Sequence, residues 1–218
     1  METTSDFVHR GIRERAATIV GNAGGVPLAL WTPEDVAPTG IVLVGHGGSG
    51  HKREEYVVAL ARRLVRTTGA AVAAIDGPLH GDRRDARPTD PALVLMEFAQ
   101  AWAADPTLTD AMVDDWRTTL DALQGLDGLA GITGPTAARL EADAARVTVP
   151  TIFLVQLDDE LFSLESSIAL FRAIGSEEKR LFAAPGRHRD VPRDAFWLTV
   201  DFLAERLELV GGGTRLVG

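Results

Sequence analysis

The chain has 218 residues with 22 basic and 31 acidic side chains, a formal net charge of -9 and no cysteine. A length of this order suits one well-buried core, the acidic balance gives no cationic surplus for displacing counterions from nucleic acid, and disulfide and thiolate chemistry are excluded. The opening METTSDFVHRGIRERAA has no apolar core of signal-peptide type, and no run approaches the roughly 20 apolar residues that span a bilayer, so a cytoplasmic protein without nucleic-acid or membrane partners is expected.

Residues 15–20 and 26–31 read as two short strands, with the glycines and Asn22 between them suited to a hairpin turn. Ile41 to Val44 is a continuous β-branched and leucine run that fits a strand covered on both faces. It ends in Gly45-His46-Gly47-Gly48-Ser49-Gly50. A helix is expected over 52–66, with Tyr56, Leu60 and Leu64 on one side and arginines on the other. Residues 70–75 form the next strand, with Asp76 at its end, so 41–76 is a β-α-β unit. The turn-rich stretch GPLHGDRRDARPTD follows, then helices over 92–104 and 108–124 in which Trp102 and Trp116 are expected in the core. The glycine-rich stretch 125–150 shows no buried strand leading into a small-residue elbow, although 136–145 suits a short helix. Thr151 to Leu157 reads as a strand, 165–174 as a helix, 179–183 as a final strand and 194–207 as an amphipathic closing helix. Strands alternating with helices define an α/β protein.

The glycine loop after strand 41–44 permits close backbone approach, and its N–H groups could stabilise a developing oxyanion. It matches neither a phosphate loop nor a dinucleotide fingerprint. Asp159, beside Asp158, stands just past a strand, and His188 lies between the last strand and the last helix. Acid before histidine is the chain order of strand-borne hydrolytic triads. A metal-assisted alternative would draw on His46, His51, His80, Asp76 and Asp82, which share loops after adjacent strands.

GHGGSGHKREEYVVALARRL, AAIDGPLHGDRR, TVPTIFLVQLDDELF and APGRHRDVP together resemble the α/β-hydrolase superfamily, near its dienelactone hydrolase and prolyl-oligopeptidase-like esterase branch, over about 25–208. The resemblance implies one α/β-hydrolase-like domain over 1–210 with a flexible tail at 211–218 and a mostly parallel sheet covered by helices on both faces. It implies Asp159 as triad acid, His188 as base, and His46, Gly47 and Gly48 in the oxyanion loop, with Ser49, Asp76 and His80 as accessory residues. A small ester or lactone is the implied substrate, and no cofactor is implied.

The family's G-x-S-x-G is absent. None of Ser5, Ser49, Ser163, Ser166, Ser167 and Ser176 has glycine two positions away on both sides; Ser49 follows Gly47, but position 51 is histidine. The nucleophile strand, its helix and the next strand would occupy roughly 40 residues, and between Leu123 and Thr136 there are about a dozen. A whole central unit is therefore expected to be missing, with esterase activity weak or lost. A non-catalytic interaction protein or truncated remnant is the alternative, and homo-oligomerisation through exposed strand edges follows from the same gap.

Overall fold

The computed structural model describes residues 1–21, 24–84, 90–105, 107–123 and 144–211, apart from the side chains of 21 and 208–211. The expected helix over 136–145, the glycine-rich stretch and the tail from 212 fall wholly or mostly outside these residues. Contacts divide the chain into two units, Met1–Gly134 with Ala204–Gly218, and Pro135–Leu203.

The first unit holds β1 (Glu2–His9), β2 (Ile12–Gly21), β3 (Gly24–Pro33), β4 (Ile41–Leu43) and β5 (Ala71–Ile75), ordered β1-β2-β3-β5-β4 in one sheet. It also holds α1 (Glu55–Thr68), α2 (Pro91–Ala104) and α3 (Leu108–Leu123). The sheet departs from the mostly parallel expectation. β1 on β2, β2 on β3 and β3 on β5 are antiparallel, and only β4 on β5 is parallel. For the first two pairings the reason is local: Arg10 and Gly11, both at positive φ, and the glycines at 21, 24 and 25 accompany two hairpin reversals. Strand β1 was not expected from the sequence, because all its side chains are exposed and leave no buried alternation to read.

β5 is buried at every position. One pleat face, with Leu28, Leu30, Ile41, Leu43, Ala73 and Ile75, packs against Trp116 and Leu123 of α3. Alternate residues such as Trp31, Val42 and Val72 face the other way along the pleat, and α1, which buries Val57, Ala61, Leu64 and Val65, contacts β3 and β5. Trp116 is a core residue as expected, while Trp102 is half-buried beside Phe98.

The expected helix over 52–66 starts late, at Glu55. The Lys52 N–H is taken by the Asp76 carboxylate at 2.8 Å, and Glu54 N–H closes a turn on the His51 carbonyl at 3.0 Å. At the far end Gly69, at φ 70°, returns its N–H to Val65.

The second unit holds β6 (Thr151–Gln156) and β7 (Lys179–Ala184), paired in parallel as a separate two-stranded sheet, with α4 (Leu164–Ala173) between them. The closing helix α5 (Arg193–Gly211) has its final turns counted with the first unit. Among the described residues no helix is long and apolar enough to cross a membrane.

Candidate active site

In the second unit, parallel pairing sends the chain out of β6 and β7 at the same end of the sheet. The ladder continues one step past the strands, with Leu157 N–H on the Ala184 carbonyl at 2.8 Å and Asp158 N–H on the Gly186 carbonyl at 3.0 Å. Asp158 also accepts the Gly186 N–H through its side chain at 3.0 Å, which ties the two exits together.

That tie brings Asp159 and His188 into contact. Asp159 Oδ1 accepts the N–H groups of Leu161 at 2.8 Å and Phe162 at 3.0 Å, and Oδ2 lies 2.9 Å from His188 Nδ1. Glu160 accepts the His188 N–H at 3.0 Å, so neighbouring carboxylates hold the histidine by its ring and its backbone. The Phe162 ring lies 5.5 Å from the imidazole, centroid to centroid. The Asp159 side chain is 10% exposed and that of His188 37%, leaving the carboxylate tucked in and the imidazole open.

Burial acts to raise the Asp159 pKa, but the hydrogen bonds from His188, Phe162 and Leu161 outweigh it and hold the carboxyl below its usual range. Glu160 is also lowered, chiefly by the His188 N–H bond. A charged Asp159 takes the proton of Nδ1 as its hydrogen bond and leaves the Nε2 lone pair outward, the tautomer a general base needs. Among the described residues no hydroxyl is bonded to Nε2. Nearby serines are structural: the Ser163 hydroxyl caps α4 by accepting the Ser166 N–H at 3.1 Å, and Ser166 Oγ donates to the Ser163 carbonyl at 2.9 Å.

In the first unit, β4 opens into a β-turn closed by Gly50 N–H on the Gly47 carbonyl at 2.9 Å. His46 Nε2 accepts the Gly77 N–H at 3.2 Å, so its proton sits on Nδ1 and is donated to the Gly47 carbonyl at 2.8 Å. Burial, assisted by the nearby His80, lowers the His46 pKa against the opposing pull of its Gly47 bond and Asp76. The Gly47 N–H is bound by the Tyr56 hydroxyl at 2.8 Å, and His80 Nε2 lies 3.0 Å from the Gly48 carbonyl. The Gly48 and Ser49 N–H groups have no acceptor among the described residues. A side chain in place of Gly48 would press on Leu95 at 3.2 Å and Phe98 at 3.4 Å, so α2 lies directly against this turn.

Asp76 anchors the loops. Its fully buried carboxylate accepts Lys52 N–H at 2.8 Å, Lys52 Nζ at 2.5 Å and Asp82 N–H at 2.8 Å, while Asp82 takes Lys52 Nζ at 2.6 Å. Arg83 reaches the Asp115 carboxylate on α3. These contacts occupy the side chains of the metal alternative: Asp76 and Asp82 share Lys52, His46 is bonded to Gly47 and Gly77, and His51 accepts the Arg53 N–H at 3.1 Å. No group of three metal-binding side chains occurs among the described residues. The roles of Lys52 and Tyr56 escaped the sequence reading, which took both for helical residues: Lys52 lies just before α1 and Tyr56 within it, and their bonds to Asp76 and to the Gly47 N–H show that they hold the loops.

No protein-family model matches the sequence, and no curated protein matches it. Solved structures do. A cold-adapted esterase from an Arctic intertidal metagenomic library, bound to polyethylene glycol, is 29% identical at a TM-score of 0.78, covering 94% of this chain and 99% of that one. A zinc-bound structure of the same description is 26% identical at a TM-score of 0.74, covering 95% and 100%. A dienelactone hydrolase-like promiscuous phosphotriesterase from metagenomic libraries, at 17% identity, shares the fold with a TM-score of 0.61 over 92% and 99% of the two chains. The class is therefore a hydrolase scaffold of the α/β-hydrolase type. With the dienelactone hydrolase-like structure the likeness is one of fold.

Proposed function

We propose that the chain is a hydrolase scaffold for small carboxylic esters or lactones in which Asp159 and His188 are the acid and the base. The 2.9 Å contact between Asp159 Oδ2 and His188 Nδ1 carries this reading. Gly48 and Ser49 supply the hydrogen-bond donors for the developing oxyanion, because the Gly47 N–H is already bound to Tyr56. His46, Asp76 and His80 act as accessories that hold the loop. With no G-x-S-x-G in the sequence, turnover rests on water deprotonated by His188 and is slow. The absence of the nucleophile unit belongs to the same proposal: among the described residues no strand lies between β5 and β6. Coverage of 94% of the chain by one esterase structure supports a single hydrolase-like domain over 1–210.

Hydrolysis of p-nitrophenyl acetate and butyrate by wild type, His188→Ala and Asp159→Asn tests the mechanism. Slow wild-type turnover, lost in His188→Ala and reduced in Asp159→Asn, is expected, with no unique serine labelled by a fluorophosphonate. Turnover indifferent to His188→Ala, or one labelled serine, would sink it. Homo-oligomerisation through strand edges is proposed from the second unit, where β6 and β7 are each bonded on one side only among the described residues. A solution mass equal to the 23.3 kDa monomer would remove that part.

A further inference from the structure

The glycine loop has the freedom to turn its peptide planes either way, since three of the four residues from 47 to 50 lack a Cβ. Each plane nevertheless has a fixed direction, because a trans peptide points its C=O and its N–H to opposite sides. The 47–48 plane is set by His46 Nδ1 and Gly50 N–H on the Gly47 carbonyl. The 48–49 plane is set by His80, whose Nε2 lies 3.0 Å from the Gly48 carbonyl. Ser49 N–H therefore points away from His80, and both it and Gly48 N–H stand without an acceptor among the described residues.

His80 is built for this. It is 3% exposed, its ring meets Phe98 edge-on at 4.6 Å, and its Nδ1 lies 2.8 Å from the Pro78 carbonyl. Both nitrogens face carbonyl oxygens, so the contact with Gly48 is favourable only when Nε2 carries a proton. The backbone holding the ring is constrained too: Leu79 has φ 65°, and Gly81, at φ 50°, leaves no room for a Cβ against Asp76.

We infer that His80 is a positioning residue, which holds the Gly48 carbonyl through Nε2–H so that the Ser49 N–H is presented to an anionic oxygen. This rests on the oxyanion reading of the loop and adds to it a side chain from a different strand exit. His80 touches no reacting atom; it acts through one peptide plane.

The test uses the full-length protein labelled with ¹⁵N. Long-range imidazole spectra of the wild type should show His80 Nε2 protonated; an unprotonated Nε2 overturns the inference without any substitution. Titration with n-butylphosphonate should then shift the Gly48 and Ser49 amide protons downfield. In His80→Leu the phosphonate should bind about tenfold more weakly, the loss of one charge-assisted hydrogen bond, with the Ser49 response abolished. His80→Gln, whose amide can donate to the same carbonyl, should recover the Ser49 response. An undiminished Ser49 response in a folded His80→Leu protein overturns the positioning role and leaves the oxyanion reading standing. Gly48 and Ser49 amides that stay still in the wild type sink that reading itself, and the inference with it. Should His80→Leu not fold, the imidazole spectra and His80→Gln decide.

Discussion

Lys52→Met is the substitution whose cost the structure fixes best. The Lys52 side chain is 7% exposed and bridges Asp76, fully buried, and Asp82, 46% exposed. Methionine keeps the stem and removes the charge. Asp82 can turn to water. Asp76 cannot, and it keeps only the N–H groups of Lys52 and Asp82 against a buried negative charge. Removing one partner of a buried pair costs about 3–5 kcal/mol, and the two remaining N–H bonds put this case near the lower figure. Against a total stability of about 5–15 kcal/mol, that shifts a urea midpoint by roughly 1–2 M. Asp82→Ala, which removes only the half-exposed partner, should cost about 1 kcal/mol or less. Urea unfolding followed by far-UV circular dichroism measures all three proteins. The double variant Lys52→Met/Asp76→Leu, with no charge left buried, should be more stable than Lys52→Met alone. A Lys52→Met midpoint equal to wild type, or a double variant worse than the sum of its parts, would refute the reasoning.

Gly81→Ala should lose roughly 1–3 kcal/mol, because its Cβ would sit 2.3 Å from the Asp76 carboxyl at φ 50°; Gly47→Ala, with nothing within 4 Å of its Cβ, should be close to neutral, and equal urea midpoints for the two variants would contradict this. The lowered pKa of His46 means that the unfolded chain binds its proton more readily. Stability is thus full above about pH 6.5 and falls on acidification below it, and His46→Gln should flatten that slope in urea midpoints taken between about pH 5 and 8; an unchanged slope would show that His46 does not cause it. Asp159 has its carboxyl held low, so its contribution is present above about pH 4 and lost as pH falls through the lowered value. The stability gap between wild type and Asp159→Asn should accordingly narrow in acid, and a gap independent of pH would show that the charge of Asp159 stabilises nothing.

How much of this was legible in the sequence depended on how local each cause is. The buried runs at 41–44 and 70–75 and the periodic apolar face of 108–124 carry their own burial pattern, and the structure places strands and a helix there. β1 carries none, because its pairing with β2 is made by backbone groups while its side chains face water. The late start of α1 was illegible for a different reason: the bond that stops the helix comes from Asp76, 24 residues further on. Asp159 and His188 could be singled out as the proposed acid and base because strand exits and chain order are legible in the sequence, and the structure brings the two side chains into contact. Their orientation could not, since it rests on Asp158 tying the β6 exit to the β7 exit across 28 residues.

The same distinction separates what the two halves of the proposed chemistry need. An acid–base pair requires two side chains at adjacent strand ends, and β6 and β7 supply them within one small parallel sheet. Donors for an oxyanion require peptide planes held against their own freedom, which Tyr56, His46 and His80 do from three separate elements. A serine nucleophile requires more: a strained turn on a buried central strand, so that its hydroxyl is forced out toward the base. That requirement is carried by a whole strand and helix and cannot be met by a single residue. None of the six serines of this chain stands in a G-x-S-x-G setting. The proposed slow hydrolysis through water asks only for an oriented histidine, and it is for this reason that His188→Ala, rather than substitution of any serine, is the decisive variant for that proposal.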